Sequence, residues 1–243
     1  MSENDRPLGQ APHAFRGYRR RVRIDPTPLR ASAWLEDDFH HFGVDLVHDG
    51  EVVTEVVTHA PRFPWATCPA AGAYLQAQFR GARLDSFGAG EDQRQHCTHF
   101  YDLAMAAARH ALDDAPVVYD ISVDEAAEGG ALAELHINGT PALKWRMGAA
   151  AERDGIPGGD MAAFQQWTRS LPEAMTEAGL MFRRAAPISG GRRLNLEGFR
   201  TASEVGPKGV CYTFQPERAA EAARIIGAIR DFSEHPEAML RGS

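Results

Sequence analysis

His40-His41-Phe42-Gly43-Val44-Asp45-Leu46-Val47-His48-Asp49-Gly50 is the stretch that decides the fold. Phe42, Val44 and Leu46 recur with a period of two, the repeat of a half-buried strand. By the same parity His40 shares their apolar face, while His41 points to the other, solvated side. His48 shares the apolar parity too, but its place beside the turn reads as exposed. Asp49-Gly50 is a hairpin-turn pair, because both central positions of such a turn need positive φ. The Val- and Thr-rich residues 51–59 are then the return strand.

Working outward, Leu29, Ala31, Ala33 and Leu35 alternate in the same way, so residues 14–60 read as an antiparallel meander. Residues 1–13 are polar, carry Pro7 and Pro12, and read as a flexible N-terminal arm. Pro61, Pro64 and Pro69 interrupt the pattern. A helix then starts at Thr67 or Cys68, with Pro69 in its first turn, and runs to Phe79. A longer one follows over 98–112, with Phe100, Leu103, Ala104, Ala107 and Ala111 at helical spacing.

The second half repeats the theme. Val117, Tyr119, Ile121 and Val123 alternate, as do Ala131, Ala133, Leu135 and Ile137, and then Leu143, Trp145 and Met147. Asn138-Gly139 supplies the second hairpin turn. Asp160 and Pro172 open helices carrying Phe164 and Trp167, and Met175 and Phe182. Residues 189–210 read as a long loop, Cys211–Phe214 as a short strand, and a last helix opens at Pro216 with Ala219, Ala222, Ile226 and Ile229 inward. The fold class is α+β, antiparallel β-meanders packed with helices. Residues 14–243 form a single domain, which the repeated meander-plus-helix pattern divides into related halves at 14–115 and 116–232.

Composition narrows the function. With 44% hydrophobic and 24% charged residues, the 243-residue chain has the balance of a soluble globular protein large enough for a real core. A formal charge of −7 argues against nucleic acid as a partner. The Arg16–Arg23 cluster reads as an exposed strand face. The start of the chain lacks the pattern of a secretory signal, no apolar run is long enough for a membrane span, and three cysteines (Cys68, Cys97, Cys211) make no disulfide framework. These features point to a bacterial-type cytoplasm, with no membrane partner. A homodimer is the default expectation for oligomeric state.

Reactive side chains are densest at Gln95-His96-Cys97-Thr98-His99-Phe100-Tyr101-Asp102. If Thr98 caps the helix, His99 sits at its first position, where the helix dipole favours a neutral imidazole suited to act as a base. Asp102, three residues on, could orient that ring. The same dipole could lower the pKa of Cys97. His40, with Asp37-Asp38 just before it, is the second candidate for catalysis. His59 ranks below it. His136 reads as surface, and His13, His110 and His235 as peripheral. Arg62, Trp65 and Tyr101 offer a cation and aromatic surface for a hydrophobic or aromatic carbonyl substrate. Each of these residues also has a plain structural reading, as a capped helix end, a hydrogen-bonded core histidine or a packed loop.

Nucleotide-binding glycine motifs, a Gly-x-Ser-x-Gly elbow and a His-Glu-x-x-His zinc pair are all missing from the sequence. His96-x-x-His99 with Cys68 and Cys97 could supply mixed metal ligands, but no second tight pair accompanies it. The leading expectation is therefore a lyase, hydratase or isomerase that uses no cofactor and no metal. In it His99 and His40 would exchange protons with substrate, Asp102 would orient His99, and Arg62, Trp65 and Tyr101 would contact a small hydrophobic or aromatic substrate. Two alternatives stay open: a metal-dependent hydrolase or lyase with His and Cys ligands, and a noncatalytic ligand-binding or assembly protein.

The segments Leu35-Glu-Asp-Asp-Phe-His40, Cys68-Pro69 and Cys97-Thr98-His99-Phe100 resemble an uncharacterised bacterial domain-of-unknown-function family with a Cys-Thr-His-Leu hallmark. The resemblance spans roughly residues 15–112. It implies that His40, Cys97 and His99 belong to family motifs, with Phe100 replacing the usual Leu, and it carries no activity with it.

Overall fold

Alternating apolar residues pair here as antiparallel strands, and the architecture is α+β. The computed structural model describes residues 16–126, 130–149, 152–206 and 208–242. The expected arm at 1–13 lies outside the described residues. Among the described residues eight strands are hydrogen-bonded in the order β4-β3-β2-β1-β5-β6-β7-β8. They are β1 (Tyr18–Thr27), β2 (Arg30–Asp37), β3 (His41–His48), β4 (Val53–Arg62), β5 (Val117–Val123), β6 (Ala131–Ile137), β7 (Thr140–Met147) and the two-residue β8 (Gly158–Gly159). The α-helices are α1 (Ala70–Phe79), α2 (Thr98–Arg109), α3 (Met161–Arg169) and α4 (Thr176–Ser189). No helix among the described residues is long and apolar enough to cross a membrane.

The chain divides into two compact units. One comprises Val22–Val117, Phe199–Arg230 and the residues from Leu240 on. In it β2 pairs antiparallel with β3, from Arg30 opposite Val47 to Glu36 opposite His41, and β3 pairs with β4. Ala31, Ala33 and Leu35 of β2 and Phe42, Val44 and Leu46 of β3 are buried. Phe100, Leu103, Ala104 and Ala107 of α2 are buried too, and that helix lies against β2 and β3. Each large apolar side chain buried this way contributes about 2 kcal/mol. α1 lies against β4, and the approach is close enough to require Gly72. A Cβ there would run into the Thr58 hydroxyl and stand 3.4 Å from Phe100.

The other unit comprises the described residues up to Arg21, Val118–Gly198 and Asp231–Met239. Asn138 and Gly139 have φ of 49° and 78°, so the β6–β7 turn has the two positive φ values its sequence predicts. Asp160 caps α3 by accepting the Ala163 amide at 2.8 Å. Trp145, Phe164, Trp167 and Phe182 form an aromatic core with ring centroids 5.0–6.4 Å apart. In the Arg-rich start of β1, Tyr18 and Arg20 are buried, while Arg19 and Arg21 pair with Asp124 and Asp120 at 3.3 and 2.6 Å.

Several local expectations are corrected. Only Gly50 of the Asp49-Gly50 pair has positive φ, 99°. Asp49 Oδ1 instead accepts the amides of Glu51 and Val52, which makes a longer loop. His48 is buried, and its Nδ1 accepts the Gly50 amide at 3.2 Å. Tyr212–Phe214 form a 3-10 turn rather than a strand, and α4 extends to Ser189 through Pro187. Among the described residues, the expected α-helix does not form after Pro216. There, amides bond to carbonyls distant in sequence: Arg224 to Arg200 (2.9 Å), Ile225 to Pro64 (3.0 Å) and Arg230 to Asp38 (2.7 Å). Tertiary pairing outweighs helix propensity in this segment, and Ile226 is left 65% exposed.

Candidate active site

The β2–β3 turn is built on Asp37. Its Oδ1 accepts the backbone amides of Phe39 and His40, both at 2.8 Å, while the Asp37 amide donates to the His40 carbonyl at 2.9 Å. A short carboxylate that takes up amides two and three residues on is a standard way to close a tight turn. The same carboxylate lies against the His40 ring, with Nδ1 3.0 Å from Oδ1 and 3.3 Å from Oδ2. Asp37 is fully buried, and His40 keeps 12% of its side chain exposed.

Arg62, at the end of β4 opposite His41, fastens this turn from outside. Its Nη2 donates to the carbonyls of Asp37 (2.5 Å) and His40 (3.1 Å) and to Glu36 Oε1 (3.0 Å). Its Nη1 donates to the carbonyls of Asp38 (3.1 Å) and Ala228 (2.9 Å). The guanidinium expected to meet substrate is thus a turn anchor.

His99 arrives from the other side, on the first turn of α2. The cap residue is Cys97, with extended backbone and no side-chain cap bond, so the expected cap at Thr98 moves back by one. The rings of His40 and His99 are 4.0 Å apart, centroid to centroid, with planes tilted by 33°. Phe42 stacks near both, 5.9 Å from His40 and 5.5 Å from His99, and Phe39 meets His40 edge-on at 6.2 Å. Asp37, His40 and His99 each offer one ligand-type atom, and these three atoms lie within 4.8 Å of one another.

The other residues singled out by sequence have the following surroundings. Asp102, three residues after His99 on α2, is buried and accepts a hydrogen bond from Gln93 Nε2 at 2.8 Å, while Asp37 joins His40 and His99 in one compact cluster. Tyr101 packs in an aromatic nest around His96, whose ring lies 4.9–5.5 Å from those of Tyr74, Phe79 and Tyr101. Trp65 is buried, with the Arg224 guanidinium 5.3 Å from its centroid and Phe214 edge-on at 6.1 Å. His59 pairs with Asp45 at 3.1 Å and stacks on Trp34.

Sequence reasoning places Asp37-Asp38 beside His40 but does not distinguish Asp37 as the carboxylate on its ring. The signal is the Asp37-x-x-His40 spacing at a strand end, where one carboxylate can bind both the turn amides and the ring. Phe42 is legible as core but not as the wall behind the imidazoles.

Burial works against activation of the cysteines as nucleophiles. Burial pushes the Cys97 thiol well above its ordinary range and Cys68 up to about 12, and it raises Cys211. Desolvation therefore overrides the helix-dipole effect expected at Cys97. The Cys97 Sγ lies 3.9 Å from His99 Nδ1. Burial likewise holds the His96 imidazole below its ordinary range.

No family model matches the chain, and no curated protein matches it either.

Proposed function

We propose that the protein is an enzyme of the lyase, hydratase or isomerase kind, moving a proton on a small hydrophobic or aromatic carbonyl compound at His40 and His99. The observation that carries this reading is the 4.0 Å approach of the two imidazoles with Asp37 against His40 Nδ1. A carboxylate on Nδ1 favours the tautomer with its proton there, which leaves Nε2 as the lone pair for a base. Two imidazolium charges this close repel, so a proton on one ring disfavours a proton on the other. Such a pair can take a proton from one substrate atom and return one to another. Phe39 and Phe42 supply apolar walls that suit an aromatic or hydrophobic body.

The test works without a known substrate. A panel of aromatic and aliphatic carbonyl compounds is incubated with the protein in D2O containing a chelator, and deuterium incorporation or turnover is followed by NMR. The expected result is exchange or conversion of at least one compound class, reduced about 100-fold or more in His40→Ala and His99→Ala with unchanged circular dichroism. Equal rates in the wild type and both variants would overturn the proposal.

A further inference from the structure

We infer that Asp37, His40 and His99 also form a binding site for one divalent transition-metal ion of the zinc or ferrous class. The inference rests on the proposed function only in sharing its three residues; binding of the ion is a separate property. Two nitrogens and one carboxylate oxygen lie within 4.8 Å of one another. Ligands about 2.1 Å from a common ion stand roughly 3–4 Å apart, so closure onto a metal needs a contraction of roughly 1–2 Å at most. His40 Nδ1 and Asp37 Oδ1, at 3.0 Å, already have such a spacing.

The donor set selects the class of ion. Two neutral imidazoles and one carboxylate suit zinc, ferrous iron or cobalt, whereas calcium and magnesium favour oxygen ligands throughout. Three protein ligands leave coordination positions for water or a substrate oxygen. The supports around the ligands are rigid. Two backbone amides hold Asp37 Oδ1, the Arg62 guanidinium pins the turn from outside, and His99 stands on a packed helix. Asp37 and His99 are both buried, so an ion held here would be shielded from bulk water.

An imidazole nitrogen cannot hold a metal and a proton at once. An ion on His40 Nδ1 would displace the proton held there and leave the neutral ring protonated at Nε2, so added metal would remove the lone pair that serves as base and inhibit the imidazole chemistry proposed above.

The test uses the full-length protein stripped with chelator and titrated with Co2+, followed by equilibrium dialysis and visible d–d absorption. The expected result is about one Co2+ per chain, with affinity at least tenfold weaker in His99→Gln and Asp37→Asn. Because Asp37→Asn perturbs the turn, His99→Gln with native circular dichroism is the deciding variant. Cys68→Ala and Cys97→Ala should bind as the wild type does. Absence of binding by the folded wild type, or equal binding by His99→Gln, overturns the metal site. The D2O assay separates the two readings. Exchange that proceeds in chelator and is suppressed by Co2+ supports both. Exchange that requires the ion keeps the metal site and overturns proton transfer by the imidazoles. Exchange in chelator by a protein that binds no ion does the reverse.

Discussion

Asp37 Oδ1 accepts the backbone amide of His40 at 2.8 Å and lies 3.0 Å from that residue's own ring nitrogen. One buried carboxylate thus shapes the turn and aims the imidazole, so the candidate chemistry is tied to local stability. The two contributions can be separated by substitution. Asp37→Ala leaves two buried amides without their acceptor and should cost about 3 kcal/mol. Asp37→Asn keeps an acceptor oxygen for the turn and should cost about 1 kcal/mol, while losing the charge that orients His40. Urea denaturation of both variants measures the difference; equal losses would show that the turn does not depend on this oxygen.

Arg62 should prove structural. Its guanidinium bonds four backbone carbonyls and Glu36, and a lysine ammonium cannot reproduce that planar fork. Arg62→Lys is expected to lose about 2 kcal/mol and Arg62→Ala about 4 kcal/mol, seen as a fall in thermal midpoint. A variant as stable as the wild type would contradict the anchoring role.

His96 should make stability depend on pH. Burial keeps its native imidazole below the ordinary value of 6.5, despite Glu91 Oε2 at 3.4 Å. As pH falls through that value the unfolded chain takes up a proton that the native state refuses, so stability drops. The drop levels off once pH passes below the native value. Above the ordinary value both states are neutral and this contribution vanishes. His96 Nδ1 is buried with no hydrogen-bond partner among the described residues, and the ring sits in an aromatic nest. His96→Phe is therefore expected to be at least as stable as the wild type at pH 7.5 and to lose its share of the acid sensitivity. Urea midpoints at pH 7.5 and 5.5 for the two proteins give the answer.

Thiol labelling should follow burial. Cys68 and Cys97 are buried and their thiols are pushed up, whereas Cys211 is partly exposed. At pH 7 Cys211 should react first with a disulfide reagent, and the other two at least tenfold more slowly until urea is added. Fast native labelling of Cys97 would restore it as an activated nucleophile.

Gly72 should resist replacement. Its Cβ would meet the Thr58 hydroxyl, which already accepts a hydrogen bond from Gln76 at 2.9 Å. Gly72→Ala favours the helix locally yet should destabilise the protein by about 1–3 kcal/mol through overpacking, measured by denaturant midpoint.

The period-two runs in β2, β3, β5, β6 and β7 are readable because alternation is imposed by the strand itself, whatever the strand packs on. The α2 face is readable from Phe100, Leu103, Ala104 and Ala107 for the same kind of reason. His40 is assigned to the apolar face by its parity with Phe42. Segments without a local period mislead. Residues 216–229 look helical by spacing, yet after local turns through Ala223 the amides of Arg224 and Ile225 bond to Arg200 and Pro64, partners that no window of sequence contains.

By itself, then, the sequence determined the α+β class, the Asn138-Gly139 turn and the two histidines worth placing, since each follows from a short-range rule. Only the tertiary structure decided that His40 faces His99, that Asp37 lies against the His40 ring, and that Arg62 donates to the carbonyls of the turn. Those relationships join a strand turn, a helix start and a second strand end that are up to 62 residues apart in the chain. Packing between elements brings such groups within hydrogen-bond reach, and that distance is not encoded in the spacing of any one stretch.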